Sequence, residues 1–264
     1  MEVSELASTI SRFLETAPLN RVDRIGIDRI FDSPLVAVAK ADDPLFDELK
    51  EEHVVGPHHF RPSEWMERAV SVISYFLPFS EQVRRANRKP GLPAMEWLFA
   101  RMAGENCNDM VRKLIVRGLR ETGADAVVPV LDERFSMVDQ TSNWSERHVA
   151  YVAGLGTFGL GRSLITQKGT AGRFGSVITD SHIAATTRPY DSYDEYCNSC
   201  GVCIDRCPSG AIREEGKEVA VCAEWGIEQV QLVFGGLYGC GKCQVAVPCE
   251  SGIPVRKGAG SVGR

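Results

Sequence analysis

Cys197-Asn198-Ser199-Cys200-Gly201-Val202-Cys203-Ile204-Asp205-Arg206-Cys207-Pro208 is the stretch on which the reading of this chain turns. Its cysteines follow the spacing C-x2-C-x2-C-x3-C, and the last runs straight into proline. Three thiolates on a tight loop reach three irons of one cubane. The fourth lies past a turn and points at a different cluster. Small residues such as Gly201 and Ser209 let backbone amides approach the cluster sulfides, and thiolates are the soft donors that iron accepts. One run of four therefore predicts a second set elsewhere, and Cys222, Cys240, Cys243 and Cys249 supply it. By the logic of this bacterial ferredoxin run, Cys197, Cys200, Cys203 and Cys249 hold one [4Fe-4S] cluster. Cys207, Cys222, Cys240 and Cys243 hold a second. Paired structural zinc sites are the competing reading; a C-x2-C pair alone would allow them, but the full run with its proline argues against them.

Working outward, eight of the nine cysteines lie between Cys197 and Cys249. The N-terminus, MEVSELASTISRFLETAPLN, has early acids and no apolar core of a secretory signal. Without export, clustered cysteines are read as metal ligands rather than disulfides. No run of apolar residues is long enough to span a membrane, so the chain is expected to be cytoplasmic. The ninth cysteine, Cys107, falls in a predicted long helix and reads as inert packing. Hydrophobic residues make up 44% of the 264, charged residues 25%, and the net charge is -5. That is an ordinary globular composition without the basic excess of a large nucleic-acid surface, although a local basic face is compatible with it.

Upstream, Val3, Leu6, Ile10, Phe13 and Leu14 recur at helical spacing. Arg24–Ile30, Leu35–Ala39, Ala69–Leu77 before Pro78, and Ala126–Val130 read as strands. Ala94–Thr122 reads as a long helix ended by Gly123, and Ser145–Ala153 as a shorter one capped by Ser145. Leu164–Thr166 and Gly175–Thr179 read as two strands joined by a glycine-rich turn. Alternating elements suggest an α/β domain over 1–188, followed by a cysteine-rich unit over 189–264 that needs metal clusters to staple it.

Gly154-Leu155-Gly156-Thr157-Phe158-Gly159 matches G-x-G-x-x-G, but it follows a helix rather than a strand, so the dinucleotide reading is poor. A tight turn crowded by another strand or a cofactor is the better account. Ser145-Glu146-Arg147, Ala150, Ala153-Gly154-Leu155-Gly156, Gly159 and Leu164-Ile165-Thr166 together resemble the epoxyqueuosine reductase family and its superfamily relatives, the reductive dehalogenases. Arg68-Ala69-Val70-Ser71-Val72-Ile73 resembles the family's N-terminal strand. The resemblance covers about residues 55–250. It implies a nitroreductase-like or cobalamin-reductase-like α/β (α+β) domain fused to a ferredoxin-like two-cluster module. It also implies a cobalamin cofactor reduced by single electrons, with a flavin as the alternative, or an electron-transfer protein without substrate chemistry of its own.

The departures are in the last cysteine loop, where Pro248 precedes Cys249, and in the segment before Glu146. There Asp139 matches the family's aspartate only with a gap, so no catalytic residue is assigned. Many members of the family add a C-terminal helical-repeat domain that helps hold tRNA, whereas this sequence ends 15 residues after Cys249 and is acidic overall, so tRNA is not expected as a substrate. A small-molecule substrate, an external ferredoxin or flavodoxin donor and a homodimer are expected instead. Further candidates are the His58-His59 pair, read as solvated, and His148, read as packing. Arg147 and Arg173 are candidates for a cofactor phosphate or carboxylate. Tyr190, Tyr193 and Tyr196 read as cluster shields or linker anchors, and the charge run Arg84–Lys89 as a solvated loop.

Overall fold

The computed structural model describes residues 2–255; residues 256–264 of the predicted second unit lie outside the described residues. The helices are α1 (Val3–Thr16), α2 (Leu45–Glu48), α3 (Pro62–Trp65), α4 (Glu81–Ala86), α5 (Met95–Glu121), α6 (Glu146–Ala153), α7 (Val202–Asp205) and α8 (Val219–Trp225). The strands are β1 (Leu35–Lys40), β2 (Ser71–Pro78), β3 (Ala126–Val127), β4 (Met137–Val138), β5 (Thr141–Ser142), β6 (Gly156–Phe158), β7 (Leu164–Thr166), β8 (Gly172–Thr179), β9 (Ile212–Arg213) and β10 (Gly216–Lys217).

A four-stranded sheet of order β1-β2-β8-β3 forms the centre, and every pairing in it is antiparallel. All eight residues of β2 are buried, as the run from Val72 to Leu77, apolar but for Ser74, suits a strand covered on both faces. Side chains alternate across it. Ile73, Tyr75 and Leu77 join Leu6, Ile10, Trp97 and Val111 on the side of α1 and α5. Val72 and Phe76 join Trp144, Val149 and Val152 on the side of α6. The result is three layers with helices on both faces, a mixed helix-and-strand fold in which the strands are antiparallel rather than doubly wound. Leu6, Ile10 and Leu14 line the buried stripe of α1; truncating any of them to alanine costs roughly 2–5 kcal/mol.

Several elements differ from the sequence reading. Arg24–Ile30 forms no strand: Gly26 takes a left-handed conformation after a single 3-10 turn, and only Val22 bridges Ile27. The strand at Ala126 stops at Val127, because Pro129 has no amide to donate and opens a 3-10 turn. β7 and β8 follow one another but do not pair; β7 pairs β6 in a separate hairpin. The glycine motif is accounted for by that hairpin. Gly154 is the left-handed C-cap of α6, and a Cβ at Gly156 would overlap the Ile165 carbonyl of β7.

The cysteine-rich unit has little regular structure. α8 runs into a π-helical stretch, Gly226–Gln231, and β9 and β10 form a two-residue hairpin. Its buried apolar residues are few, chiefly Ala211, Ile212, Val230 and Val247, while Val245 packs into the α1–α5 core.

Candidate functional site

The cysteine run folds as a loop with left-handed turns at Ser199 and Gly201 that lead into α7, which carries Cys203. Cys207 follows just past the helix end. Cys197, Cys200, Cys203 and Cys249 line one cavity, with Cys243 also on its wall and Ile165, Thr170 and Val247 between them. No lysine or arginine lines it among the described residues. All nine cysteines are free.

Burial pushes Cys203 up to about 11 and Cys249 up to about 12, with further contributions from the neighbouring cysteines. Cys249 is influenced by Cys203, Cys197 and Cys200. Cys240, up to about 12 by burial, is influenced by Cys243 and Cys222; Cys243, also raised by burial, by Cys222 and Cys207. Cys207 goes the other way. Burial opposes its ionisation, but the Ser209 hydroxyl and the amides of Ile212, Ser209 and Ala211 outweigh it, with Cys207 Sγ 3.3 Å from Ser209 Oγ. Amide groups aimed at a sulfur suit a thiolate ligand. Among the described residues no three His, Cys, Asp or Glu side chains converge to hold a single metal ion. Five soft donors around one cavity, rather than around a point, suit an iron–sulfur cubane.

The α+β domain holds these loops in place. The Thr170 amide donates to the Cys249 carbonyl at 3.0 Å. Glu250 takes Arg88 at 2.6 Å and the Ala246 amide at 2.6 Å. Asn87, fully buried, donates to the Cys240 carbonyl at 3.0 Å. Tyr238, Gly239 and Gly241 lie against α5: a Cβ at Gly239 would overlap Arg101, and one at Gly241 would overlap Trp97.

The sequence reading missed the most unusual side chain of this region. Lys242, inside the second C-x2-C, is 1% exposed. Its ammonium donates to the carbonyls of Asn87 at 3.1 Å and Lys89 at 2.6 Å. Arg206 donates to the Val245 carbonyl at 3.2 Å and reaches Asn87 O at 3.4 Å. The charge run Arg84–Lys89 is therefore no solvated loop but the joint on which the second cysteine pair rests. The only sequence signal was a lysine standing between two ligand-spaced cysteines.

α5, α6 and β8 bring a group of charged side chains together. Glu146 is no surface residue: it accepts from Ser176 Oγ at 2.6 Å and from Arg112 at 3.3 Å, and burial raises its pKa. Arg112 also pairs with Glu105 at 2.8 Å and Asp109 at 2.6 Å. Arg173 pairs with Glu105 at 2.9 Å and donates to Arg101 O at 3.2 Å. Arg101 lies over the Tyr238 ring at 4.9 Å. Burial and the Arg173 charge bring it down to about 10. The buried Nε atoms of Arg101 and Arg173 have no hydrogen-bond partner. Arg147 donates to Arg162 O at 2.7 Å; desolvation lowers its pKa, and Cys243 acts against that.

Other candidates resolve into packing. His59 is fully buried, stacked on Trp144 with ring centroids 5.6 Å apart, so the solvated reading of the pair fails there; the apolar cluster around Trp144 has room for its ring. His148 holds Ser145 Oγ at 2.7 Å and tilts against Phe158. Tyr190 stacks on Tyr151 and meets Tyr196 edge-on, which makes them anchors of the linker, while Tyr193 is exposed. Asp139 sits at the exposed tip of the β4–β5 turn. Cys107 is fully buried in the α5 core.

The 4Fe-4S binding domain family matches residues 193–213. Curated relatives are epoxyqueuosine reductases. That of Listeria monocytogenes is 28% identical over 213 residues, 76% of this chain and 54% of its own length. That of Staphylococcus aureus is 30% identical over 167 residues, 59% of this chain and 42% of its own. The chain thus spans about half the length of the curated relatives it matches, or less. Among solved structures, an epoxyqueuosine reductase with a tRNA-Tyr epoxyqueuosine-modified tRNA stem loop gives a TM-score of 0.51 at 19% identity, over 94% of this chain and 66% of that one. A reductive dehalogenase discussed in terms of B12-dependent dehalogenation gives 0.55 at 16% identity, over 84% and 30%. At these identities the structures share the fold. The expectation against tRNA is overturned, because the sequence relatives are epoxyqueuosine reductases and one of the structural neighbours holds a tRNA stem loop. Net charge misled because it averages over the whole chain and says nothing of where the charges lie. No helix among the described residues is long and apolar enough to cross a membrane.

Proposed function

We propose that this chain, which belongs to the epoxyqueuosine reductase-like iron–sulfur superfamily, is a reductase acting on a modified nucleoside carried by tRNA. Residues 1–188 bind the substrate and residues 189–264 form the ferredoxin-like unit. The two-cluster reading is carried by one observation: thiols from Cys197 to Cys203 and from Cys249, far apart in sequence, face the same cavity. Of the remaining four, Cys240 and Cys243 each feel Cys222, and Cys243 also feels Cys207; Cys243 stands between the two groups, since it faces the first cavity and acts on Cys203 as well. Bound clusters supply single electrons at low potential. What the chain itself does is hold the thiols, exclude water with Ile165 and Val247, and present Arg101, Arg147 and Arg173 to an anionic group. Guanidiniums with unpartnered donors suit an RNA phosphate or the phosphate of a cofactor. Cobalamin held by the same domain is the finer reading that the resemblance adds.

The test is an anaerobic preparation assayed for iron, acid-labile sulfide and conversion of an epoxyqueuosine-bearing stem loop by the reduced protein. Two clusters' worth of iron and substrate turnover are expected, with a change in the hydroxocobalamin spectrum on binding. Iron-replete protein that holds its electrons in the presence of the stem loop would make this an electron-transfer protein instead. A retained yellow flavin would replace the corrinoid.

A further inference from the structure

We infer that Lys242 is a built-in counter-charge that raises the reduction potential of the cluster held by Cys207, Cys222, Cys240 and Cys243 above that of its neighbour. The inference rests on the two-cluster reading. Lys242 is 1% exposed, and among the described residues no carboxylate lies within ion-pairing distance of its ammonium. An ammonium taken out of water costs several kcal/mol unless its charge is answered. Two main-chain carbonyls, at 3.1 and 2.6 Å, supply dipoles but no negative charge. The missing anion is next to it in the chain: Cys240 and Cys243 flank Lys242 on either side. A cubane with four thiolates is a net anion, and each electron it accepts makes it more so. A nearby cation in a low-dielectric setting favours the reduced state.

The two cysteine groups differ in this respect. Arg206 donates to the carbonyls of Lys242 and Val245 in the second cysteine loop, and Lys217 and Arg147 also act on Cys243. The cavity of the first group is walled by Leu160, Ile165, Val247 and Pro254, without a cation. Electrons entering the pair therefore come to rest on the cluster beside Lys242.

The experiment is a potentiometric titration of the full chain, followed by electron paramagnetic resonance, with iron and sulfide measured on the same samples. Wild type is compared with Lys242→Gln, which removes the charge, and Lys242→Arg, which keeps it. Two separate midpoints are expected in wild type and in the arginine variant. In the glutamine variant the higher midpoint falls toward the lower, and the lower stays in place. Unmoved midpoints at full iron, or equal losses in both variants, overturn it. Absence of iron from the wild type would instead remove the reading on which it rests.

Discussion

The two halves of the molecule are stabilised by different physics. Up to the linker tyrosines, a fully buried central strand packs between two apolar clusters, and long side chains such as Trp97, Trp144, Phe46 and Phe76 fill the space. Beyond them, turns predominate and buried apolar side chains are sparse. A unit of that size with so small a core is marginal on hydrophobic burial alone. Its thiols take over the role that leucines and valines play in the sheet. One half therefore responds to changes in packing, the other to changes in metal.

Stripping iron under anaerobic chelation breaks this contrast most completely. Hydrogen exchange of α7, α8 and the intervening loops is expected to rise to near-unprotected rates, while β2 and α5 keep their protection. Equal loss in both halves would show that the sheet depends on the clusters too. Acid is next in size and falls on the other half. Burial brings His59 down to about 4 and His148 to about 3, from an ordinary 6.5. Between 6.5 and those values the unfolded chain takes up protons that the folded one refuses, so stability declines as pH is lowered through that window. By pH 5 each histidine contributes about 2 kcal/mol of loss, read as a drop in the urea midpoint and relieved in His148→Phe.

Gly156→Ala sharpens the comparison at a single contact. Its methyl would meet the Ile165 carbonyl, and the β6–β7 hairpin must shift at a cost of roughly 1–3 kcal/mol, with iron content unchanged. The smallest effect is Arg117→Ala. Its ion pair with Glu121 on α5 spans 2.9 Å, but both side chains are mostly exposed, and the melting midpoint should move by less than about 0.5 kcal/mol equivalent.

The same division governed what the sequence disclosed. Elements specified by local pattern were legible. The apolar run ending at Pro78 became the central strand, and the periodicity from Ala94 to Thr122 became α5. The cysteine spacing stood out because ligand geometry dictates it. What sequence could not carry was partnership. Nothing in Leu164–Thr166 says that it pairs with β6 rather than with the strand that follows it. Nothing in Glu146 says that a buried arginine 34 residues earlier will claim it. Asn87 and Lys242 look like surface residues until distant segments fold together and close over them. His59 was misjudged for the same reason, since only the arrival of Trp144 encloses it.

The hydrogen bond from Thr170 to the Cys249 carbonyl has a consequence for biogenesis. Gly169 is pressed so close to Glu250 that a side chain there would collide with its backbone, so the last thiol is seated by the turn between β7 and β8. On the proposed partition, the first quartet closes only once the sheet has formed and offers that seat. Metallation then follows folding of the neighbouring domain, and a chain that meets iron too early can offer the cube three corners but not the fourth.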